Sequence, residues 1–76
     1  MAESQAEQED RVKTVAEVRR LKTAMYDQMV TLSSLNDGQL KMAGHKSLDD
    51  ALKYTLEHTR RQIAKTTTDF FNKHPD

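Results

Sequence analysis

Apolar side chains along residues 15–35 recur at steps of three and four, the spacing that places them on one face of an α-helix. No proline or glycine occurs between residues 1 and 37. This pattern predicts one long helix over residues 9–34. Its apolar row consists of Val15, Val18, Leu21, Met25, Met29, Leu32 and Leu35.

Turn-forming residues follow this row and predict a short second helix over residues 37–43. Asn36 is a good N-cap residue, and Gln39 stands three positions later, as a capping box requires. We expect this helix to bury Leu40, with Met42 or Ala43 as a second candidate. Gly44 is placed to end it with a left-handed backbone conformation.

A second apolar row predicts a third helix over residues 48–70, with Ser47 as its N-cap. Threonines occupy several positions of the same face, so this row is thinner than the first. Its apolar members are Leu48, Leu52, Leu56, Ile63 and Phe70.

Two long helices of similar length joined by a short connection predict an all-α fold, an antiparallel helical hairpin with the short helix in its connection. We expect an acidic, disordered arm over residues 1–9, the hairpin domain over residues 10–72 and a frayed tail over residues 73–76. Each long helix carries apolar residues in more than one heptad register, as a coiled coil with several neighbours does. Two helices cannot cover all of them, so the hairpin is predicted to be completed by oligomerisation or by a partner chain.

The predicted interface combines the two apolar rows with the aromatic pair near the end of the chain. Adjacent aromatic residues cannot both face the same helix seam, so at least one of the pair is predicted to contact a partner. The interface residues are Val15, Val18, Leu21, Met25, Met29, Leu32, Leu48, Leu52, Leu56, Ile63, Phe70 and Phe71.

Composition strengthens the expectation of a partner. A chain of 76 residues with 36% hydrophobic residues and no cysteine has a small core and no disulfide to reinforce it. Twelve basic residues balance twelve acidic ones, which disfavours general nucleic-acid binding. The sequence has no apolar run of membrane-spanning length, and its start lacks the features of a signal peptide. We therefore expect a cytoplasmic protein without a membrane segment.

Histidines supply the main candidate chemistry. His45 lies in the connection, four residues before Asp49, a spacing that two metal ligands on one helix face could use. Two candidate ligands do not make a site, and a surface loop is the simpler interpretation. His58 follows Tyr54 by one helical turn and is interpreted as a solvated side chain or one at an interface edge. No catalytic residue, cofactor or metal is predicted, and the chain is not expected to be an enzyme.

Basic residues cluster on both long helices and would lie at similar heights in an antiparallel hairpin. They could form a basic patch for an acidic partner or, less readily, for a nucleic acid, although a solvated charged face is the ordinary interpretation. The patch residues are Arg19, Arg20, Lys22, Arg60, Arg61 and Lys65.

The segment from His45 to Asp49 is similar to the Ser-x-x-Leu-Asp signature of small aspartyl-phosphate phosphatases of sporulating bacteria, which are helical hairpins. His45 stands where that signature has serine, and the similarity covers five residues, so we do not assign the chain to this family.

The sequence as a whole predicts a small helical protein–protein interaction module, such as an adaptor, co-chaperone or assembly factor. It would bury its apolar rows against another chain, in a homodimer or on a larger partner. The alternative is a small regulator that binds a specific target, such as a response regulator or a nucleic acid, through its loop or basic patch.

Overall fold

The computed structural model describes residues 4–75, which form three helices: α1 (Gln5–Ser33), α2 (Asp37–Met42) and α3 (Leu48–Lys73). The two long helices pack against each other along a molecule of 56 × 17 × 14 Å. This architecture confirms the predicted helical hairpin with a short helix in its connection. Within residues 4–75, neither long helix carries an apolar stretch sufficient to cross a membrane.

The first helix begins earlier than its apolar row indicated. Ser4 Oγ accepts a hydrogen bond from the backbone N–H of Glu7 at 3.1 Å and so caps the helix. Glu7 also lies in the first turn, where a negative charge interacts favourably with the helix dipole. The arm predicted to be disordered over residues 1–9 is therefore helical from Gln5 onward, and residues 1–3 lie outside the described part of the chain.

Local hydrogen bonds define both ends of α2. Asn36 Oδ1 accepts from the Gln39 backbone N–H at 2.8 Å, and Gln39 Oε1 accepts from the Asn36 N–H at 3.0 Å, which confirms the capping box. Gly44 has a φ of 90°. The N–H groups of Gly44 and His45 donate to the carbonyls of Lys41 and Leu40, the paired bonds of a Schellman motif.

The third helix begins as predicted and ends three residues later than predicted. Ser47 Oγ accepts from the Asp50 backbone N–H at 3.2 Å. The helix continues without interruption through the three threonines at 66–68 and ends at Lys73, where a basic residue suits the negative end of the dipole. Lys73, placed by the sequence in a frayed tail, is thus helical, and His74 caps the helix by donating its N–H to the Phe70 carbonyl at 2.9 Å.

The hydrophobic core lies at the end of the hairpin that carries the connection. Leu32, Leu40 and Ala51 form a buried cluster there, and Ala51 has no exposed surface. The small side chain of Ala51 allows Leu32 of α1 and Leu40 of α2 to pack against α3. The partly buried leucines around this cluster are Leu35, Leu48 and Leu52.

Farther from the connection, a leucine of α1 packs against threonines of α3 in the interface between the two helices, called here the seam. Leu21 of α1 is buried, as are Thr55 and Thr59 of α3. The Thr55 hydroxyl donates to the Ala51 carbonyl of its own helix at 3.0 Å, so it is hydrogen-bonded although it is buried. The methyl groups of the threonines then remain available to pack across the seam.

An ionic cluster joins the two long helices at the open end of the hairpin. His74 Nε2 lies 2.7 Å from Asp10 Oδ2, and Lys73 Nζ lies 3.4 Å from the same oxygen. The hydrogen bond from His74, with a further contribution from Lys73, lowers the pKa of Asp10 below its ordinary value of 3.8. Asp10 and His74 are 64 residues apart in sequence, so their contact fixes how α1 and α3 are aligned along each other.

Replacing Leu40 by alanine tests the core at the connection. We expect Leu40→Ala to lower the free energy of unfolding by about 2–5 kcal/mol, because Leu40 is buried and its removal leaves a cavity. Met42→Ala is the matched control, since Met42 lies on the same helix with 90% of its surface exposed and its loss should cost about 0.5 kcal/mol or less. Urea denaturation followed by circular dichroism measures both. Equal effects would contradict this placement of the core.

The Asp10 cluster predicts a specific acid dependence. Because the pKa of Asp10 is lowered in the folded chain, its carboxylate stabilises the fold above the ordinary value of 3.8, and this contribution is lost as pH falls through the lowered pKa. Wild type should therefore be more stable than Asp10→Asn at pH 7, and the difference should shrink toward pH 2. Urea denaturation over this pH range measures it, and a difference that does not change with pH would refute the assignment.

Candidate functional site

A shallow groove of about 270 Å³ runs along one side of the hairpin, between the two long helices. Ala24 and Gln28 of α1 face it from one wall, and Tyr54, His58 and Gln62 of α3 face it from the other. These residues define one side of the molecule, called here the groove side.

Aromatic rings form a small stack at the connection end of this groove. The Tyr54 and His58 rings are nearly parallel, with an interplanar angle of 6° and centroids 6.1 Å apart. His45 tilts against Tyr54 from the loop, with centroids 5.8 Å apart. Both histidines thus contact the tyrosine instead of converging on one point. Among residues 4–75, no three His, Cys, Asp or Glu side chains lie close enough together to hold a metal ion.

The opposite side of the hairpin follows from the helical repeat of about 100° per residue. Ala24 follows the buried Leu21 by three residues and faces the groove, so Val18, which precedes Leu21 by three, lies on the other side. On α3, His58 follows the buried Thr55 by three residues and faces the groove, so Leu52, which precedes Thr55 by three, also lies on the other side.

Apolar residues continue along this second side on both helices. We call it the open apolar face and define it as Val15, Val18, Met29, Leu52, Leu56 and Ile63. Val15 is 44% exposed and Leu56 is 49% exposed, while the other four are half-buried. Because α1 and α3 form a single layer, this face is open to solvent along most of its length within residues 4–75, and Leu52 alone of its members packs against the core cluster at the connection.

The remaining residues of the predicted interface have other environments. Leu21 and Leu32 are buried between the helices, and Leu48 packs against the core at the connection. Met25 lines the base of the groove. The aromatic pair is split, with Phe70 half-buried and Phe71 exposed, and their rings meet edge to face with centroids 5.5 Å apart.

The predicted basic patch divides between the two sides of the hairpin. Lys22 follows Val18 by four residues, and Arg60 follows Leu56 by four, so both lie on the open apolar face. Arg61 follows His58 by three residues and therefore lies on the groove side. The remaining members divide in the same way, with Arg19 beside the open apolar face and Arg20 and Lys65 on the groove side.

Ion pairing further separates the members of the patch. Arg20 Nε donates to the Glu17 carboxylate at 3.0 Å, and this interaction lowers the pKa of Glu17. The ion pair lies on the surface of α1, so the guanidinium of Arg20 already has an acidic partner on its own helix. The six basic residues therefore do not present one continuous surface.

Two features of the surface could not be predicted from the apolar rows of the sequence. Val12 and Val30 are exposed on the outer side of α1, away from the seam, because they fall outside the row at three- and four-residue steps. The contact between Asp10 and His74 joins α1 to the residue after α3. Sequence patterns within one helix cannot predict a contact between residues so far apart in the chain.

Comparison with known proteins adds no functional assignment. No protein-family model matches the chain, and no curated protein and no solved structure is significantly similar to it. Function therefore has to be inferred from the residues and their geometry.

Replacing exposed apolar residues tests whether the open apolar face is needed for folding. The double variant Val15→Thr, Leu56→Gln should change the free energy of unfolding by about 1 kcal/mol or less, because both side chains are largely solvated already. It should also bind less of the dye ANS, which reports exposed apolar surface. The control variant Val12→Thr, Val30→Thr removes two exposed apolar residues from the outer side of α1 and should leave the dye bound by the open apolar face nearly unchanged. Global unfolding of the first variant would show that these residues belong to the core.

Proposed function

We propose that this chain is a small helical protein–protein interaction module that buries its open apolar face against another chain. The observation that carries the proposal is that the single layer formed by α1 and α3 leaves Val15 and Leu56, two members of the open apolar face, about half exposed. Within residues 4–75, the buried hydrophobic residues number only four: Leu21, Leu32, Leu40 and Ala51.

The size of the open apolar face suits a binding surface. The row from Val15 to Met29 spans roughly 21 Å at 1.5 Å per residue, and packed helix axes lie about 8–10 Å apart. Together these dimensions give an apolar strip of roughly 200 Å², long enough to contact about four turns of a partner helix. A further helix laid on this face would supply the second layer that a helical domain ordinarily has.

The proposed role is binding without catalysis. The rings of His45 and His58 both contact Tyr54, that of His45 tilted and that of His58 nearly parallel. An adaptor, a co-chaperone or an assembly factor would use the surface described here, and a cytoplasmic location stays a prediction from the sequence.

The alternative of a regulator acting through its loop or basic patch has less structural support. The His45 ring packs against Tyr54 and is half-buried, so it is less accessible to a target than a histidine that extends into solvent. The basic residues separate onto two sides of the hairpin, which weakens any broad electrostatic surface for a nucleic acid.

Site-specific photo-crosslinking in cells tests the proposed function. A crosslinking amino acid at position 56, on the open apolar face, should give one predominant covalent adduct. The matched control is position 64, since Ala64 is exposed and lies nine residues after Thr55, on the outer side of α3. The adduct should be absent from position 64 and should disappear from position 56 when Ile63 is changed to Glu. Equal adducts from both positions, or none from position 56, would refute the proposal.

A further inference from the structure

We infer that the occupant of the open apolar face is an amphipathic helix of a different protein, with acidic residues beside its apolar stripe. This inference rests on the proposed function and specifies the partner by its charge and shape. Its basis is the position of two cationic side chains within the apolar row.

Lys22 and Arg60 interrupt the open apolar face near the middle of each long helix. Lys22 lies four residues after Val18 and seven before Met29. Arg60 lies four residues after Leu56 and three before Ile63. Long basic side chains can pack their aliphatic stems on apolar neighbours while the charged groups remain in water.

Neither cation forms a salt bridge with a carboxylate of the described residues. Both side chains are exposed, and neither Lys22 nor Arg60 forms an ion pair within residues 4–75. Acidic residues that do form pairs use other bases: Glu17 binds Arg20, and Asp10 binds His74 and Lys73. The middle of the open apolar face is therefore positively charged, although the chain as a whole has a net charge of zero.

Asp49 adds an acidic group on the same side of the hairpin, at its connection end. It precedes Leu52 by three residues, in the first turn of α3. This carboxylate lies beyond the basic middle of the face.

Self-association through this face is electrostatically unfavourable. Asp10 meets His74 at one end of the hairpin and Leu32 packs with Ala51 at the other, so Lys22 and Arg60 lie at nearly the same height on the two helices. A two-fold dimer centred on the face would bring both residues close to their own copies. Four like charges would meet in the centre of that interface, whereas acidic residues of a different chain would neutralise them.

The dimensions of the face favour a helical partner. On the open apolar face, the depression between α1 and α3 can accept the apolar stripe of a third helix, as pairs of packed helices do in other complexes. A length of roughly 21 Å corresponds to a partner helix of about 14 residues. Glutamates next to its apolar stripe would lie within reach of Lys22 and Arg60.

A pair of synthetic peptides of about 18 residues tests the inference on the full chain. Both peptides carry leucines at helical i, i+3, i+4 and i+7 spacing; one has glutamates beside the stripe, and the other has lysines at the same positions. We expect the glutamate peptide to bind more tightly by roughly tenfold at low salt, with the advantage shrinking as salt is added. Titration followed by two-dimensional NMR should place the shifts at Val18, Leu56 and Ile63.

Charge reversal on the protein provides the decisive comparison. The variant Lys22→Glu, Arg60→Glu should reverse the preference and bind the lysine peptide more tightly. The matched control Arg61→Glu, Lys65→Glu makes the same change of net charge on the groove side and should keep the preference for the glutamate peptide. Circular dichroism of each variant verifies that the hairpin is intact.

Several outcomes would overturn the inference while leaving the proposed function standing. Equal binding of the two peptides would show that charge does not select the partner. Failure of both to bind, with an adduct still formed from position 56, would mean that the partner is not a helix of this kind. A stable wild-type dimer crosslinked through position 56 would replace the acidic helix by a second copy of the chain. Absence of any adduct from position 56 would instead refute the proposed function itself.

Discussion

The packing of two helices in a single layer is the constraint on which the rest of this structure depends. Each helix in such a pair can bury only the stripe that faces its neighbour, and the stripes on either side of that contact remain open to solvent. In this chain the buried stripe includes Leu21 on one helix and Thr55 and Thr59 on the other. Apolar residues displaced from the seam to one side, including Val15 and Leu56, therefore form a face that residues 4–75 leave largely open to solvent.

The seam is stable enough to define the hairpin because both of its ends are fixed. At the connection, the capping box of α2 and the Schellman motif at Gly44 orient the short helix so that Leu40 reaches the core. At the open end, Asp10 holds His74 and Lys73. Between these points, Thr55, whose hydroxyl donates to the Ala51 carbonyl, and the buried Thr59 allow close packing of α3 against α1.

Local rules predicted most of the fold, because the signals that determine it are local. The periodic row around Leu21 predicted α1, and Asn36, Gly44 and Ser47 predicted the boundaries of α2 and the start of α3. The early start of α1 was missed because apolar periodicity begins only at residue 15, whereas the helix is initiated by the cap at Ser4.

Long-range features were less accessible from the sequence. The Asp10 contact with His74 depends on the relative alignment of two helices, which no motif encodes. The basic patch was expected as one cluster, since proximity in sequence and similar height in the hairpin were the available criteria. Division of Arg60 and Arg61 between opposite sides requires the direction of the seam, which only the packed structure supplies. The same information distinguishes the buried Leu32 from the half-exposed Leu56 within rows that looked equivalent.

The uneven distribution of the core connects stability to the proposed binding. Leu32, Leu40 and Ala51 concentrate apolar burial at the connection, while the half of the hairpin toward Asp10 depends on a thinner seam. Val15 and Val18 of the open apolar face lie in that thinner half. A partner helix bound there would add apolar contacts where the hairpin has fewest, so binding would stabilise this half more than the connection. Under the proposed binding, a chain of this size would remain folded by its core at one end and acquire its second layer from the bound helix.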